Sequence, residues 1–314
     1  MVEERAVVVS APGKIIFSGE HSVVYGQPAL LAAIDRRLFV KTEKTQRGIE
    51  ITADEPVELA KHALEKTKEI LGGEIKGGLK IKITSQIPVA RGMGSSAALA
   101  VAMAGSLSRY WKKPWNKNLI NQIAYEIEKK QHGNPSGGDN SIVCFGGFLR
   151  FQKENGCFKL KPLKFDFKLP EFVLLDSGRA KETTGEMVAG VRGKYQQQKT
   201  KMTRVLKTVG SLTEKMIACF QQRRFRRLPE LIKENELRLE EMGVVGEKAR
   251  SLIRKIEKLG GAAKICGAGG LKEGSGVVLG YHPDQKLIIN FAKKQKIPYF
   301  LVKLGVQGAR DEKS

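Results

Sequence analysis

The sequence has few of the residues that build metal centres and disulfide frameworks. Its four cysteines, Cys144, Cys157, Cys219 and Cys266, form no C-x-x-C pair, and the four histidines do not cluster with them. A structural zinc site or a disulfide framework is therefore not expected. We predict that the thiols are reduced and lie in or near the core.

Long apolar runs are also missing. No stretch approaches the roughly 18 consecutive apolar residues that a membrane span requires. The first residues, MVEERAVVVSAPGK, lack the basic, apolar and small-residue zones of a signal peptide. We therefore expect no membrane partner and a cytoplasmic location.

Acidic residues are scarce relative to basic ones. Lysine and arginine number 55 against 33 aspartates and glutamates, which gives a formal net charge of +22. Such an excess favours anionic ligands and can recruit nucleic acid non-specifically. The densest basic patch, residues 221–243, alternates with acidic blocks and is typical of a solvated helical face. Without an RNP-type aromatic signature or a zinc finger, we expect no specific nucleic-acid partner.

The order of the predicted elements indicates an α+β protein. A chain of 314 residues suits one large or two ordinary domains. Strands and helices alternate up to a proline-marked linker, after which a strand, long helical patterns and further strands follow. This pattern predicts domains at residues 1–168 and 169–314, with a frayed tail from Gly308.

The G-x-x-x-x-G-K-[ST] phosphate loop is absent, but a different glycine-rich turn is present. Gly92-Met93-Gly94-Ser95-Ser96 follows a predicted strand and opens an alanine-rich helix at about Ser95. Glycine lets the backbone approach a ligand closely, and the free N–H groups of a helix start attract anions. From these residues alone, a phosphate site and a simple capped core helix both remain open.

Two further stretches carry side chains suited to chemistry. In SAPGKIIFSGEHSVVYGQPAL, Lys14 follows Pro-Gly beyond a predicted buried strand, and Glu20 and His21 lie together in a loop. In IEKKQHGNPSGGDNSIVCFGGF, Asp139 lies in a Gly- and Pro-rich turn just before a predicted apolar strand, and Glu128 precedes it near the end of a helix. A surface lysine and an ordinary turn acid are the simpler interpretation of each stretch alone.

Together, three ordered motifs resemble those of the GHMP kinase superfamily, named for its galactokinase, homoserine kinase, mevalonate kinase and phosphomevalonate kinase members. The motifs are APGK…GEH from Ala11 to His21, PVARGMGSSAA from Pro88 to Ala98, and a glycine loop from Lys264 to Gly276. Within the superfamily, GEHSVVYGQPAL and HGNPSGGDNSIVCFGGFLRF are most similar to the mevalonate kinases. The resemblance covers nearly the whole chain.

This resemblance implies a fold and an activity. The implied fold has a ribosomal protein S5 domain 2-like N-terminal domain, a ferredoxin-like C-terminal domain and an active site in the cleft between them. The implied reaction is ATP-dependent phosphorylation of the 5-hydroxyl of (R)-mevalonate, with Mg²⁺ as the cofactor. ATP and mevalonate are then the expected ligands, and a homodimer is the family-based expectation for assembly.

The resemblance also assigns roles to individual residues. Asp139 is expected to take or orient the hydroxyl proton, with Lys14 beside it to stabilise developing charge. Ser96 and Glu128 are expected to hold Mg²⁺. The residues expected around the ATP phosphates are Pro88, Ala90, Arg91, Gly92, Met93, Gly94, Ser95, Ser96 and Ala97. Those expected on the substrate side are Lys14, Glu20, His21, Ser136 and Asp139, and those of the third glycine loop are Gly267, Ala268, Gly269 and Gly270.

The sequence departs from the family pattern in the third motif, KICGAGGLKEGSG. Cys266 stands where threonine is usual, and Leu-Lys-Glu interrupts the glycine run. Lys272 could contact a phosphate, but we expect it to face solvent. Met93 in place of leucine is a mild change, while Leu99, where animal-type enzymes often have tyrosine, leaves the details of the substrate pocket open.

Two alternative functions remain at this point. The first is another small-molecule GHMP kinase, acting on phosphomevalonate, homoserine or a sugar. The second is a non-catalytic GHMP-fold ligand-binding or RNA-binding regulator, which the high basicity would suit. Retention of Lys14, Ser96, Glu128 and Asp139 argues against lost catalysis.

Overall fold

The chain forms two β-sheets with helices packed on them. The structure, a computed structural model, describes residues 6–54, 57–132, 135–154 and 156–312. The first half contains β1 (Val7–Ser18), β2 (Ala29–Thr45), β3 (Gly48–Ala53), α1 (Val57–Leu71), β4 (Gly78–Ser85), α2 (Ser95–Tyr110), α3 (Lys117–His132), α4 (Gly138–Phe145), β5 (Phe148–Glu154) and β6 (Cys157–Leu163). The second half contains β7 (Val173–Asp176), α5 (Thr184–Gln197), α6 (Lys199–Gln221), α7 (Leu228–Met242), α8 (Glu247–Lys258), β8 (Ala262–Ile265), β9 (Val277–Tyr281), α9 (Gln285–Lys294), β10 (Tyr299–Leu301) and β11 (Arg310–Asp311).

The larger sheet is built around the long strand β2. Its order is β11-β1-β2-β4-β3, and β5 pairs with the first residues of β2 while β4 pairs with the last ones. All pairs are antiparallel except β3 with β4. The smaller sheet is antiparallel throughout, in the order β10-β7-β9-β8. Two mixed layers of this kind confirm the α+β expectation.

Helix α2 is the buried helix of the first half. Every residue from Ala97 to Ser108 is buried, and most are alanine or another small residue. Small side chains let a helix lie close to its neighbours, and alanine costs little side-chain entropy on folding. The helix packs against β1, β2, α1 and α3. The glycine-rich turn before it is therefore attached to a rigid, fully enclosed element.

Strand β1 is longer than the sequence indicates. The sequence predicts a short strand that ends before Pro12-Gly13, but the strand continues to Ser18 through a register shift at those two residues. The residues that this shift leaves unpaired with β1, Asp35 and Arg36, lie on β2, so the ladder continues past Pro12. Lys14 consequently lies within a buried strand rather than in a loop after it.

The segment around Asp139 also differs from its prediction. Instead of a turn that leads directly into a strand, Gly138–Phe145 forms the short helix α4, and Asp139 lies in its first turn. The buried face of α4 includes Ile142 and Val143. This packing supplies the free energy that an eight-residue helix lacks by itself.

The expectation of a frayed tail from Gly308 is wrong for residues 308–312. Arg310–Asp311 pairs with β1, and Ala309 is fully buried. The guanidinium of the buried Arg37 donates to the carbonyl oxygens of Gln307 and Gly308, at 2.9 and 2.8 Å. Residues 313–314 lie outside the described part of the chain.

Cysteine burial follows the prediction at three of the four positions. Cys144, Cys219 and Cys266 are buried, and none of the four is in a disulfide. Cys157 is exposed, because it begins the edge strand β6, whose side chains alternate toward solvent. Among the helices of the described residues, none is both long and apolar enough to cross a membrane.

Candidate active site

A cavity of about 540 Å³ lies where the two halves meet. The first half contributes β1, the turn after it, the glycine-rich turn before α2, and residues of α3 and α4. The second half contributes one face of α5 and the loop after β8. Most of the side chains that the sequence singled out converge on this space.

Lys14 and Asp139 form the charged centre of the cavity. Lys14 Nζ lies 3.1 Å from Asp139 Oδ2; the lysine side chain is 2% exposed and the aspartate 39%. The lysine stem passes beneath Gly94, where an added Cβ would lie 2.7 Å from Lys14 Cγ. Burying an ammonium is costly unless an anion accompanies it. The pair therefore fixes Asp139 at the wall, with its carboxylate open to a ligand.

Glu128 adds a second carboxylate to the same wall. Burial, followed by the charge of Asp139, raises the pKa of Glu128 to about 8, and Lys14 offsets this only in part. Ser96 contributes a hydroxyl to the cavity. Two carboxylates and a hydroxyl are oxygen donors of the kind that Mg²⁺ prefers, so these residues fit that ion.

These protein oxygens would form an incomplete coordination shell. Among the described residues, no group of three or more histidine, cysteine, aspartate or glutamate side chains could hold a metal ion. Mg²⁺ typically keeps several waters and takes one or two carboxylates plus substrate phosphates. The donor set suits an ion that arrives with a nucleotide.

The glycine-rich turn presents its backbone to the cavity. Ala90, Gly92 and Gly94 all have positive φ, at 54°, 77° and 79°. Helix α2 then begins at Ser95 with no side chain capping its N-terminus. Its first N–H groups are therefore available to an anion, and the helix dipole favours negative charge there.

Only some of the nine residues predicted around the ATP phosphates line the cavity. Ala90, Gly92, Gly94, Ser95 and Ser96 do. The other four do not: Met93 and Ala97 are buried in the core, Arg91 pairs with Asp176, and Pro88 lies before the turn.

Of the four residues predicted in the third glycine loop, only some line the cavity. Gly267 and Ala268 line the cavity. A Cβ on Gly269 would lie 1.9 Å from the carbonyl oxygen of Val244, and one on Gly270 would lie 2.4 Å from that of Gly274. These two glycines therefore permit close backbone packing. Lys272 is exposed, as expected.

Glu20 and His21 line the cavity wall but are held by the second half of the chain. The Glu20 carboxylate accepts a hydrogen bond from Lys264, whose ammonium also donates to the carbonyl oxygens of Ile16 and Ile265, at 3.3 and 2.5 Å. His21 Nε2 lies 2.9 Å from the Ala268 carbonyl oxygen, which can only accept, so Nε2 carries the proton.

Lys264 is the buried cation that the sequence analysis did not assign to the site. Neither its side chain nor that of Glu20 is exposed to solvent. Burial lowers the pKa of Lys264, but Glu20, Cys266 and Glu236 together raise it by more, so the pKa is raised overall and the lysine remains charged. The pair joins the two halves directly beneath the cavity.

Glu236 of α7 lies in the same buried region. One of its oxygens accepts a hydrogen bond from the backbone N–H of Ile265 at 3.0 Å. Burial raises the pKa of Glu236 to about 8. The folded protein therefore retains a proton that the unfolded chain releases near its ordinary carboxyl pKa of 4.5.

This proton makes stability depend on pH. The contribution of Glu236 is fully present below about pH 4.5 and is lost as pH rises through about 8. Glu236→Gln removes the titrating group, so the variant's Tm should fall less than that of the wild type between about pH 5 and pH 9. Thermal unfolding across this range measures the difference, with the exposed Glu230→Gln on the same helix as control. Parallel Tm curves for wild type and Glu236→Gln would contradict the assignment.

Helix α5 supplies cavity residues that the sequence analysis did not name. Thr184, Gly185, Val188, Ala189 and Arg192 all line the cavity. Their spacing places them on one face of a helix. The helical spacing of these residues in TTGEMVAGVR is the sequence feature that could have indicated them.

Comparison with known proteins identifies the family of the chain. Residues 58–147 match the family described as GHMP kinases N terminal domain. The mevalonate kinase of Thermococcus sibiricus is 34% identical over 295 residues, covering 84% of this chain and 86% of its own.

Solved structures share the fold. The mevalonate kinase of L. major in complex with R-mevalonate has a TM-score of 0.82 at 22% identity, covering 95% of each chain. The galactokinase of Lactococcus lactis complexed with galactose has a TM-score of 0.81 at 16% identity, covering 98% of this chain and 96% of its own. Fold similarity of this kind does not discriminate between substrates.

The fold and the sequence are those of a GHMP kinase, an ATP-dependent phosphotransferase. At this level of sequence identity, the chain belongs to the mevalonate kinase family. The resemblance noted from the three motifs is thereby confirmed.

Proposed function

We propose that the protein transfers the γ-phosphoryl group of ATP to the 5-hydroxyl of (R)-mevalonate, giving ADP and 5-phosphomevalonate. The observation that carries this proposal is the Lys14–Asp139 pair, which faces one cavity together with the anion-binding turn before α2. The identity of 34% to a mevalonate kinase supports the choice of acceptor.

The residues act on the acceptor hydroxyl as follows. Asp139 accepts the hydroxyl proton as the oxygen attacks the γ-phosphorus, and the bond to the ADP oxygen breaks. Lys14 stabilises the charge that develops on the attacking oxygen and the transferred group. The N–H groups from Gly92 to Ser96 hold the phosphates, and no covalent enzyme intermediate is needed.

Ser96 and Glu128 would hold Mg²⁺ beside the phosphates. When bound, the ion would neutralise phosphate charge. Besides burial, the charge of Asp139 raises the pKa of Glu128, so the two carboxylates repel each other. A cation there would relieve this repulsion, which supports the assignment.

Arg192 is the candidate partner for the mevalonate carboxylate. Among the described cations that line the cavity, Lys14 is paired with Asp139, whereas Arg192 makes no ion pair or hydrogen bond. Val23, Val24, Val188 and Ala189 supply apolar surface nearby for the methyl group of the substrate. A guanidinium can bind a carboxylate through two parallel hydrogen bonds.

Arg192→Ala should therefore raise the KM for mevalonate by about 10- to 100-fold, the range expected for a lost hydrogen bond to a charged group. The KM for ATP should change by less than about threefold, and Arg192→Lys should recover part of the loss. Steady-state kinetics with each substrate varied in turn measures this split. Lys201→Ala, an exposed cation on α6, is the control. Equal KM increases for both substrates would remove Arg192 from this role.

The choice of acceptor is tested by ADP release. The purified protein, with ATP and Mg²⁺, is given mevalonate, phosphomevalonate, homoserine or galactose in separate reactions. We expect ADP release above background in the reaction with mevalonate and in none of the other three. Higher kcat/KM with any other acceptor would keep the kinase mechanism and replace the substrate.

Three further expectations stay predictions: the domain boundary at residues 168 and 169, the homodimer and the cytoplasmic location. We also expect no specific RNA partner. Any RNA binding should follow the general positive charge and weaken steeply with salt.

A further inference from the structure

An ion pair connects the turn before α2 to the second half of the chain. Arg91 lies in this turn between Ala90 and Gly92, which both line the cavity, but its own side chain points away from that space. Its Nε donates to Asp176 Oδ2 at 2.7 Å, and the two side chains are 24% and 13% exposed. Asp176 is the last residue of β7.

Asp176 lies where three segments are joined by hydrogen bonds. Its Oδ1 accepts from the Gly178 N–H at 2.8 Å, and the Gly178 carbonyl accepts from Gly276 at 3.0 Å. The Val277 N–H then donates to the Arg91 carbonyl at 2.9 Å. The side chain of Arg91 is thus attached to β7, and its backbone to Val277 at the end of the third glycine loop.

Close backbone contacts restrict the turn further. A Cβ on Gly276 would lie 2.6 Å from the Arg91 carbonyl oxygen, and one on Gly92 would lie 2.4 Å from that of Cys266. Ala90, a residue with a side chain, has a positive φ of 54°. A non-glycine residue keeps such a conformation only where its surroundings enforce it. The Arg91–Asp176 pair is made by the next residue in the chain.

We propose that Arg91 is a positioning residue for ATP, which acts through its ion pair with Asp176 to keep the N–H groups from Gly92 to Ser96 directed at the phosphates. Arg91 does not contact the nucleotide. Nucleotide affinity thereby depends on β7 and the third glycine loop, which belong to the other half of the chain. This inference rests on the proposed function only in taking the turn as the ATP phosphate loop.

Three variants test the proposal: Arg91→Met, Asp176→Asn and the double variant. Each single change should weaken ATP binding about tenfold. The double variant should bind ATP no more weakly than the single variant with the lower ATP affinity, because all three variants break the same interaction. The KM for mevalonate should change by less than about twofold, whereas a general loss of structure would affect both substrates. Arg91→Lys should restore part of the affinity.

The control is a matched ion pair elsewhere. Arg109 Nε donates to Asp311 Oδ2 at 2.8 Å, on a surface away from the cavity. Arg109→Met should leave ATP affinity unchanged. If Arg91→Met does not fold, Asp176→Asn, which keeps the shape and the Gly178 hydrogen bond, carries the test. Unchanged ATP affinity, equal losses for mevalonate, or additive losses in the double variant would overturn the proposal.

Affinity is measured by calorimetric titration of ATP without an acceptor, and KM values come from steady-state assays. A wild type that binds ATP but phosphorylates no mevalonate would contradict the proposed function, while the calorimetric comparison would still decide the role of Arg91.

Discussion

Replacing Asp139 by asparagine should lower kcat by about 10²- to 10⁴-fold, the usual contribution of a general base. Asparagine has the same shape as aspartate but cannot accept the hydroxyl proton at the carboxylate. The affinity for ATP should change by less than about threefold, because the N–H groups before α2 are not altered. Single-turnover kinetics and ATP titration measure the two effects separately.

The Asp139→Asn result needs a control for charge and folding. Asp166→Asn, an exposed position outside the cavity, should leave kcat unchanged. Thermal unfolding of Asp139→Asn measures how much stability is lost when the buried Lys14 ammonium no longer faces a carboxylate. Near-normal turnover in a folded Asp139→Asn protein would exclude Asp139 as the base.

Replacing Lys264 by methionine should destabilise the protein by about 3–5 kcal/mol, the cost typical of leaving one partner of a buried ion pair alone. The Lys264 and Glu20 side chains are both fully buried, so no solvent can compensate the remaining carboxylate. Since domains are stable by only about 5–15 kcal/mol, this is a large share of the total. Urea unfolding measures the change.

Two variants distinguish the ion pair from the loss of the lysine stem. Lys272→Met removes an exposed lysine from the loop that follows β8 and should change stability by less than about 0.5 kcal/mol. The double variant Lys264→Met/Glu20→Gln removes both charges and should recover part of the stability. A Lys264→Met protein as stable as the wild type would contradict the buried-pair interpretation.

Local patterns were sufficient for the elements that carry their own signals. Helix α2 begins at Ser95 and ends at Tyr110, as its small-residue run and the preceding glycines predict. Helix α3 begins after Asn116, whose side chain accepts from the Leu119 N–H at 3.1 Å, as an N-cap does. Such features depend on neighbouring residues, so the sequence displays them directly.

The sequence predictions were wrong where tertiary packing outweighed a strong local signal. Pro12-Gly13 is typical of a turn, yet a bulge lets β1 continue and places Lys14 inside the sheet. Gly137 precedes and Gly138 begins α4, a helix too short to show a clear period. Neither outcome can be derived from the local residues, because the surrounding core decides it.

Long-range pairs were beyond the reach of sequence reasoning. Glu20 was identified as a substrate-side acid, but its carboxylate binds Lys264, 244 residues away. Arg91 was grouped with the phosphate loop, but its side chain binds Asp176, 85 residues away. In one sequence, nothing marks which distant charge will become a partner. The motifs indicated the chemistry, and the fold determined how the charges are paired.

The most direct test is the position of the new phosphate. The purified protein is incubated with ATP, Mg²⁺ and (R)-mevalonate, and the product is examined by mass and by phosphorus–proton coupling in NMR. We predict a singly phosphorylated product whose phosphorus couples to the two protons on C5. A product phosphorylated on the tertiary 3-hydroxyl, or ATP consumption without phosphorylated mevalonate, would contradict the proposed function.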